Sequence, residues 1–172
     1  VDASREDIGL AAALRLAGST LQVERARLRT PVGALEASGR AALAEPWRID
    51  LAGRFAELDP AGAEAMLVRF GVLAGPARLA DWGGRVGGAW TVRGRAWPEP
   101  ALETSLSVES GVLAGEPLRL RWRGDVAGAR VTKVDASLDY RGAHASAQGA
   151  LGRTGDRLRV SARVDALGRF DP

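Results

Sequence analysis

The sequence predicts a mostly β fold with a single short helical insert. Three observations predict it. Apolar and polar residues alternate with period two along most of the chain. Gly, Pro and Asp interrupt that alternation at short intervals, and one stretch alone switches to helical spacing.

The strands follow in order. In Ile8–Leu16 the even positions are Ile8, Leu10, Ala12, Leu14 and Leu16, with Arg15 on the other face. In Leu21–Arg29 the apolar phase slips from Leu21 and Val23 to Ala26 and Leu28, which predicts a bulge near Arg25. Leu35, Ala37, Gly39, Ala41 and Leu43 oppose Glu36, Ser38 and Arg40. Trp47, Ile49, Leu51, Gly53 and Phe55 oppose Arg48, Asp50 and Arg54. Further on, Val86, Trp90 and Val92 alternate with Arg85, Thr91 and Arg93, and Leu102, Leu106 and Val108 alternate with Glu103, Ser105, Ser107 and Glu109. Leu118, Leu120 and Trp122 face away from Arg119, Arg121 and Arg123. Val134, Ala136, Leu138 and Tyr140 face away from Asp135, Ser137 and Asp139, and Leu158, Val160, Ala162 and Val164 from Arg157, Arg159 and Arg163. This makes about ten strands, joined by turns such as Gly115-Glu116-Pro117 and Thr154-Gly155-Asp156. Because the turns are short, the strands are expected to pair mostly in consecutive order.

Asp59-Pro60 breaks the pattern as an N-cap followed by proline at the first helical position. Ala63, Met66, Leu67 and Phe70 follow at helical spacing, and Gly71 is a natural stop. A second short turn is expected over Ala77–Trp82. The organisation read from this is one β-structured segment, 1–172, carrying a helical insert at 59–83. A weak internal repeat relates 20–60 to 131–172: Ala37–Leu43 resembles Ala145–Leu151, each is followed by an arginine-bearing strand, and each unit ends on Asp-Pro (Asp59-Pro60, Asp171-Pro172). The chain begins at Val1, directly ahead of a strand pattern, and reads as an excised piece of a longer protein.

Every strand has one apolar face, and one short helix cannot cover ten of them. The sheet must fold over as a sandwich, a barrel or a U-shaped trough. Aromatic residues make up 5% of the chain and many inward positions are Ala or Gly, so a facing wall leaves spare width for an apolar guest. The competing arrangement is a narrow core packed by Leu, Ile, Val and Trp.

Composition narrows the chemistry. No cysteine is present, which removes disulfides, thiolate zinc sites and cysteine nucleophiles. The single histidine, His144, lies between alanines on an outward strand face without a matched nucleophile. Asp135 and Asp139 share one outward face, but no calcium loop follows. Gly83–Gly88 opens a strand rather than a helix and lacks phosphate-loop spacing. The chain carries a net charge of +3, and Lys133 is its sole lysine, so arginine supplies the positive charge. The arginine row Arg119, Arg121, Arg123 has no stacking aromatic on its face, and no nucleic-acid partner is expected. No run of about 18 apolar residues is present, so this piece alone contains no membrane-spanning helix. We expect no enzyme, no cofactor and no metal site.

Three runs carry a family resemblance. Gly84–Gly94, a glycine-spaced strand, is followed by Pro100-Ala101-Leu102. Ala150–Val160 leads to Asp171-Pro172. Leu35–Leu43 joins Trp47–Phe55 and Leu58-Asp59-Pro60. These resemble recurring phrases of the TamB/AsmA-like family (translocation and assembly module, inner-membrane component), over nearly the whole chain. The resemblance implies an elongated, twisted sheet folded into a U-shaped "β-taco" groove, the β-sandwich remaining the alternative. It implies a periplasmic location with the full-length protein anchored in the inner membrane. It also implies lipid transport between the membranes, outer-membrane biogenesis or secretion of client proteins, and a TamA-like outer-membrane barrel as partner. The alternative function is a self-contained β-sandwich binding or adhesion module.

Under the groove reading, phospholipid or another apolar chain is the cargo. The lining candidates are Leu10, Leu14, Leu51, Trp90, Val92, Leu106, Leu120, Leu138 and Val160 on the sheet, with Met66 and Phe70 from the helix. Exposed sheet edges further predict edge-to-edge self-association of the chain.

Overall fold

The computed structural model describes residues 8–69 and 83–165. Ten strands and one helix follow in the order β1 (Gly9–Ala17), β2 (Thr20–Thr30), β3 (Gly33–Ala42), β4 (Trp47–Leu58), α1 (Pro60–Arg69), β5 (Gly84–Trp97), β6 (Ala101–Leu113), β7 (Glu116–Ala127), β8 (Arg130–Tyr140), β9 (Ala143–Leu151) and β10 (Leu158–Val164). All ten strands belong to one open sheet, antiparallel throughout, and their spatial order is their sequence order. The sandwich alternative would divide the strands between two stacked sheets. Two-residue hairpins at five of the nine strand connections, with short loops at three more, lead each strand back beside its predecessor and give one sheet instead.

Local chemistry explains that order. Ala114 and Gly115 both adopt left-handed backbone (φ 48° and 80°), as do Arg141 and Gly142 (φ 53° and 74°). Two successive positive φ values make a type I′ turn, whose twist matches that of the flanking strands. In Thr154–Asp156, Gly155 turns with φ 92° while the Asp156 carboxylate accepts the Arg153 backbone N–H at 2.9 Å.

The phase slip on β2 is a real bulge. Arg25 pairs with Ala13 and Val23 with Leu14, so Glu24 is the extra residue; toward β3 the pairing likewise jumps between Val23 and Ala26. The bulge resets the phase and keeps Leu21, Val23, Ala26 and Leu28 on one face.

Helix α1 begins as its sequence requires. The Asp59 carboxylate accepts the Ala61 N–H at 3.1 Å, and the Asp59 carbonyl accepts the Ala63 N–H at 2.9 Å. The helix start is tied to the β2–β3 turn, where Asp59 N–H donates to the Val32 carbonyl at 2.7 Å. Phe70, Gly71 and Ala77–Trp82 lie outside the described residues.

Few side chains are buried. Among the described residues the buried hydrophobics are Phe55, Val86, Val108, Leu113 and Val134. Phe55, Val86 and Val108 form one cluster on β4–β6, against which Leu58, Trp90, Leu106, Leu118 and Leu120 pack partly exposed. The core therefore sits mid-sheet, at the strand ends nearest α1.

Candidate functional site: a continuous apolar face

The registers align the apolar positions of successive strands into four rows on one face. The first row runs Leu10, Leu28, Leu35, Phe55, Gly88, Val108, Leu120, Leu138, Ala145, Ala162. The second runs Ala12, Ala26, Ala37, Gly53, Trp90, Leu106, Trp122, Ala136, Ala147, Val160. Leu14, Val23, Gly39, Leu51, Val92, Thr104 and Gly124 make the third, which Val134, Gly149 and Leu158 continue beyond a register shift. Leu16, Leu21, Ala41, Ile49, Gly94, Leu102, Val126, Val131 and Leu151 make the fourth. Nine inter-strand steps of about 4.8 Å give the face a contour of about 43 Å across the strands.

Much of this face is open. Leu10 is 73% exposed, Leu14 57% and Val160 65%. Contiguous apolar surface of this extent is rare on soluble monomers.

Rings lie down on glycines. A Cβ on Gly53 would sit 2.6 Å from the Trp90 indole, and one on Gly88 would sit 2.8 Å from Phe55 Cζ. Only glycine leaves space for these rings to lie against the sheet, and each covers backbone that would otherwise face water. Trp122 donates its indole N–H to Thr104 Oγ1 at 3.1 Å, and the Thr104 hydroxyl donates to the Gly124 carbonyl at 3.0 Å. Thr104 is the one polar side chain in the four rows, and it is satisfied within them. The Trp90 indole N–H is buried without a partner among the described residues.

Against this face, α1 closes one side of an apolar cavity of about 480 Å³. Pro60, Ala63 and Met66 form the helical wall; Leu28, Leu35, Phe55, Val86, Leu106 and Val108 form the sheet wall, and Val32 and Leu58 the end. Among the described residues along it, Thr30 alone has a polar side chain.

The opposite face is a lattice of charges. Asp50 sits between two arginines, 3.0 Å from Arg93 Nε and 3.6 Å from Arg40 Nη2. The hydrogen bond from Arg93, with the charge of both arginines, holds its carboxyl below the usual carboxylate range. Asp156 is lowered in the same way by Arg130, helped by the Arg153 backbone N–H. Lys133 is raised by Asp125, 2.7 Å away. Glu36 pairs with Arg27 at 2.6 Å. Serine and threonine hydroxyls bridge strands in the pairs Thr91–Ser105 and Ser146–Ser161, both 2.7 Å. This face keeps the sheet wetted on one side, so association through the other is one-sided.

The nine sheet candidates all fall on the apolar face, spread over three rows: Leu10, Leu120 and Leu138; Trp90, Leu106 and Val160; Leu14, Leu51 and Val92. Met66 lines the cavity beside Leu106; Phe70 lies outside the described residues. Sequence reasoning missed Leu28, Leu35, Phe55, Leu58, Val86 and Val108 as cavity walls. Phe55 and Leu58 lead into the Asp59-Pro60 cap and Val86 opens the strand after the helix, so these three carried a local signal; Leu28, Leu35 and Val108 join them only through strand register. His144 lies on the outer face, 2.7 Å from the Asp139 carboxylate, with both side chains exposed. Among the described residues no cluster of three metal-ligating side chains is present.

Comparison with protein-family models, with curated proteins and with solved structures finds no match.

Proposed function

We propose that this chain is a non-enzymatic segment of a TamB-like periplasmic protein, and that its apolar face curves into a groove along which apolar chains travel. The cargo is the acyl part of a phospholipid, or an apolar stretch of an outer-membrane client. The observation that carries the reading is the apolar face itself: two rows cross all ten strands, two more cross most of them, and among the described residues α1 alone packs against them. A chain lying along the rows meets apolar side chains at every strand, and each CH₂ it buries contributes about 0.8 kcal/mol. Seating is graded rather than all-or-none, which suits a path better than a tight binding site. In the full-length protein the groove would run between an inner-membrane anchor and a TamA-like barrel.

The test is native mass spectrometry of the chain after gentle extraction, beside photocrosslinking from position 106 on the apolar face and 105 on the outer face. Phospholipid adducts, and lipid crosslinks from 106 but not 105, are the expected results. A clean apo mass, with no uptake of a fluorescent fatty acid, overturns the proposal.

A further inference from the structure

At the strand ends opposite α1, Trp47 and Trp97 pair across β4 and β5, and they are 37% and 63% exposed. Alternation alone would send Trp97 to the charged face, because Trp90, Val92 and Gly94 hold the even positions of β5. The register shifts between the pairs Trp47↔Trp97 and Arg48↔Arg95, so Ala96 is an extra residue and Trp97 turns to the side of Trp47. Neither neighbouring strand pairs at this level. β3 pairs with β4 as far as Ala41↔Ile49, and β6 with β5 as far as Arg95↔Ala101. The two indoles therefore stand at the border of the apolar face, next to Ile49 and Gly94 of its fourth row.

Charge is laid out around this pair in mirror image. Glu45-Pro46 leads into Trp47 and Pro98-Glu99 leads out of Trp97, so a carboxylate lies two residues beyond each indole. The next pair in the register is Arg48 with Arg95, on the opposite face. Arg95 braces the turn that follows it: its Nε–H donates to the Glu99 carbonyl at 3.0 Å, and its Nη2 lies 3.8 Å from the Glu99 carboxylate. The Glu99 side chain is still 88% exposed. Among the described residues, Glu45 and Arg48 have no ion-pair partner. Like charges directly opposite each other destabilise a sheet, so Arg48 beside Arg95 leaves a positive charge that an anion would relieve.

These groups together describe a ligand. Indole is the aromatic ring that attracts an ammonium most strongly, and its amphipathic body favours the boundary between hydrocarbon and water. The two carboxylates add to the attraction for a cation, while a guanidinium fork suits a phosphate. A polypeptide fits poorly, because its backbone N–H and C=O groups would lie unpaired on the apolar rows beside the indoles. We infer that the Trp47–Trp97 border is a headgroup site, which takes the zwitterionic phosphate–ammonium head of a phospholipid whose acyl chains lie on the apolar face. The indoles and carboxylates hold the ammonium; Arg48, at the same strand end, answers the phosphate. The inference rests on the groove reading and adds to it a selection by headgroup.

The test is a calorimetric titration of the full chain with dihexanoylphosphatidylcholine and with dihexanoylphosphatidylglycerol, each below its micelle-forming concentration. The acyl chains are identical, and only the first head carries an ammonium. The unmodified chain should bind the choline lipid at least about fivefold more tightly, although its net charge of +3 favours the anionic one. Trp47→Leu combined with Trp97→Leu keeps both exposed positions apolar, so the strand signal in circular dichroism should persist while the preference falls below about twofold. Glu45→Gln combined with Glu99→Gln should lower the preference by a route that leaves both indoles in place. Equal affinity of the unmodified chain for the two lipids, or a preference that either double variant retains in full, overturns the inference. Binding of a fluorescent fatty acid to the unmodified chain then tells whether the groove reading survives. Failure of both lipids and of the fatty acid to bind overturns the two together.

Discussion

Leu106 and Val108 stand two residues apart on β6, on the same face, and the structure assigns them opposite responses to charge. Val108 is 8% exposed and belongs to the buried cluster with Phe55 and Val86. Leu106 is only partly buried, between Trp90 and Trp122 across the neighbouring strands, and borders the open cavity beneath α1. Replacing Val108 with Asp leaves an unpaired charge in a dry site at a cost of about 3–5 kcal/mol, besides the lost packing. With about 1.5–3 kcal/mol of lost packing the total reaches the lower part of an ordinary domain's stability, about 5–15 kcal/mol, and a sheet with so few buried side chains lies there, so Val108→Asp should be largely unfolded. Replacing Leu106 with Asp forfeits part of a leucine's burial, about 1–2 kcal/mol, while its carboxylate keeps water on the open face. At roughly 2–4 °C per kcal/mol for a chain of this size, Leu106→Asp should melt about 2–8 °C lower and remain folded. The assay is a thermal melt followed by circular dichroism, with titration of a fluorescent fatty acid at 25 °C. The folded Leu106→Asp variant should bind that probe at least tenfold more weakly. Unfolding of Leu106→Asp as complete as that of Val108→Asp would mean that the face is closed and dry, and would refute the reasoning.

Three further outcomes are expected. A Cβ at Gly88 would fall 1.8 Å from the Ser107 carbonyl oxygen and 2.8 Å from Phe55 Cζ, so Gly88→Ala should cost about 3 kcal/mol by denaturant melt; Gly83→Ala, with nothing within 4 Å, should cost almost none. The lowered carboxyls of Asp50 and Asp156 contribute stability that is complete above the ordinary carboxylate pKa of about 3.9 and is lost as pH falls through their lower folded values. Denaturation midpoints compared at pH 7 and pH 3 should therefore drop less for Asp156→Asn than for the unmodified chain. Met66→Asp, in the helical wall of the cavity, should weaken fatty-acid binding while leaving the strand signal in circular dichroism intact.

Strand identity and order were legible because each strand has a single apolar face. Period-two alternation survives only where one side is wet, and turns such as Ala114-Gly115 leave no room for a crossover. The bulge at Glu24 was legible for the same reason: an extra residue is the only way to keep both Val23 and Ala26 on the apolar face. Strand ends were less so. β4 runs on to Leu58 past Glu57, which adopts a left-handed φ of 52° and whose carbonyl accepts a hydrogen bond from Arg85 at 2.9 Å. That irregularity lets Leu58 pair with Val86, and nothing local to Glu57 announces it. The cavity was illegible in a different sense. Its walls come from five strands and a helix, and their meeting depends on register, which turn geometry and bulges set and which alternation alone leaves free.

Register also changes the meaning of the low aromatic content. Few rings and many small residues read, in sequence, as uniform spare width. On the sheet one row segregates them. Along the second row the side chains are small on β1–β4 (Ala12, Ala26, Ala37, Gly53), large on β5–β7 (Trp90, Leu106, Trp122) and small again on β8 and β9 (Ala136, Ala147). A single-layer sheet cannot bury its apolar side against a second layer, so its stability has to come from contacts within the layer. Along this row, collecting the large side chains onto three adjacent strands does this: Trp90 lies over Gly53, Trp122 reaches Thr104, and Leu106 packs between them. The alanines on either side then bury little of their own and keep the backbone low. An apolar guest gains most where the floor is low and bordered by a taller wall. If the face carries an apolar chain as proposed, the same arrangement that holds the middle of the sheet together puts the lowest floor beside it, at the second-row alanines of β1–β3 and of β8 and β9.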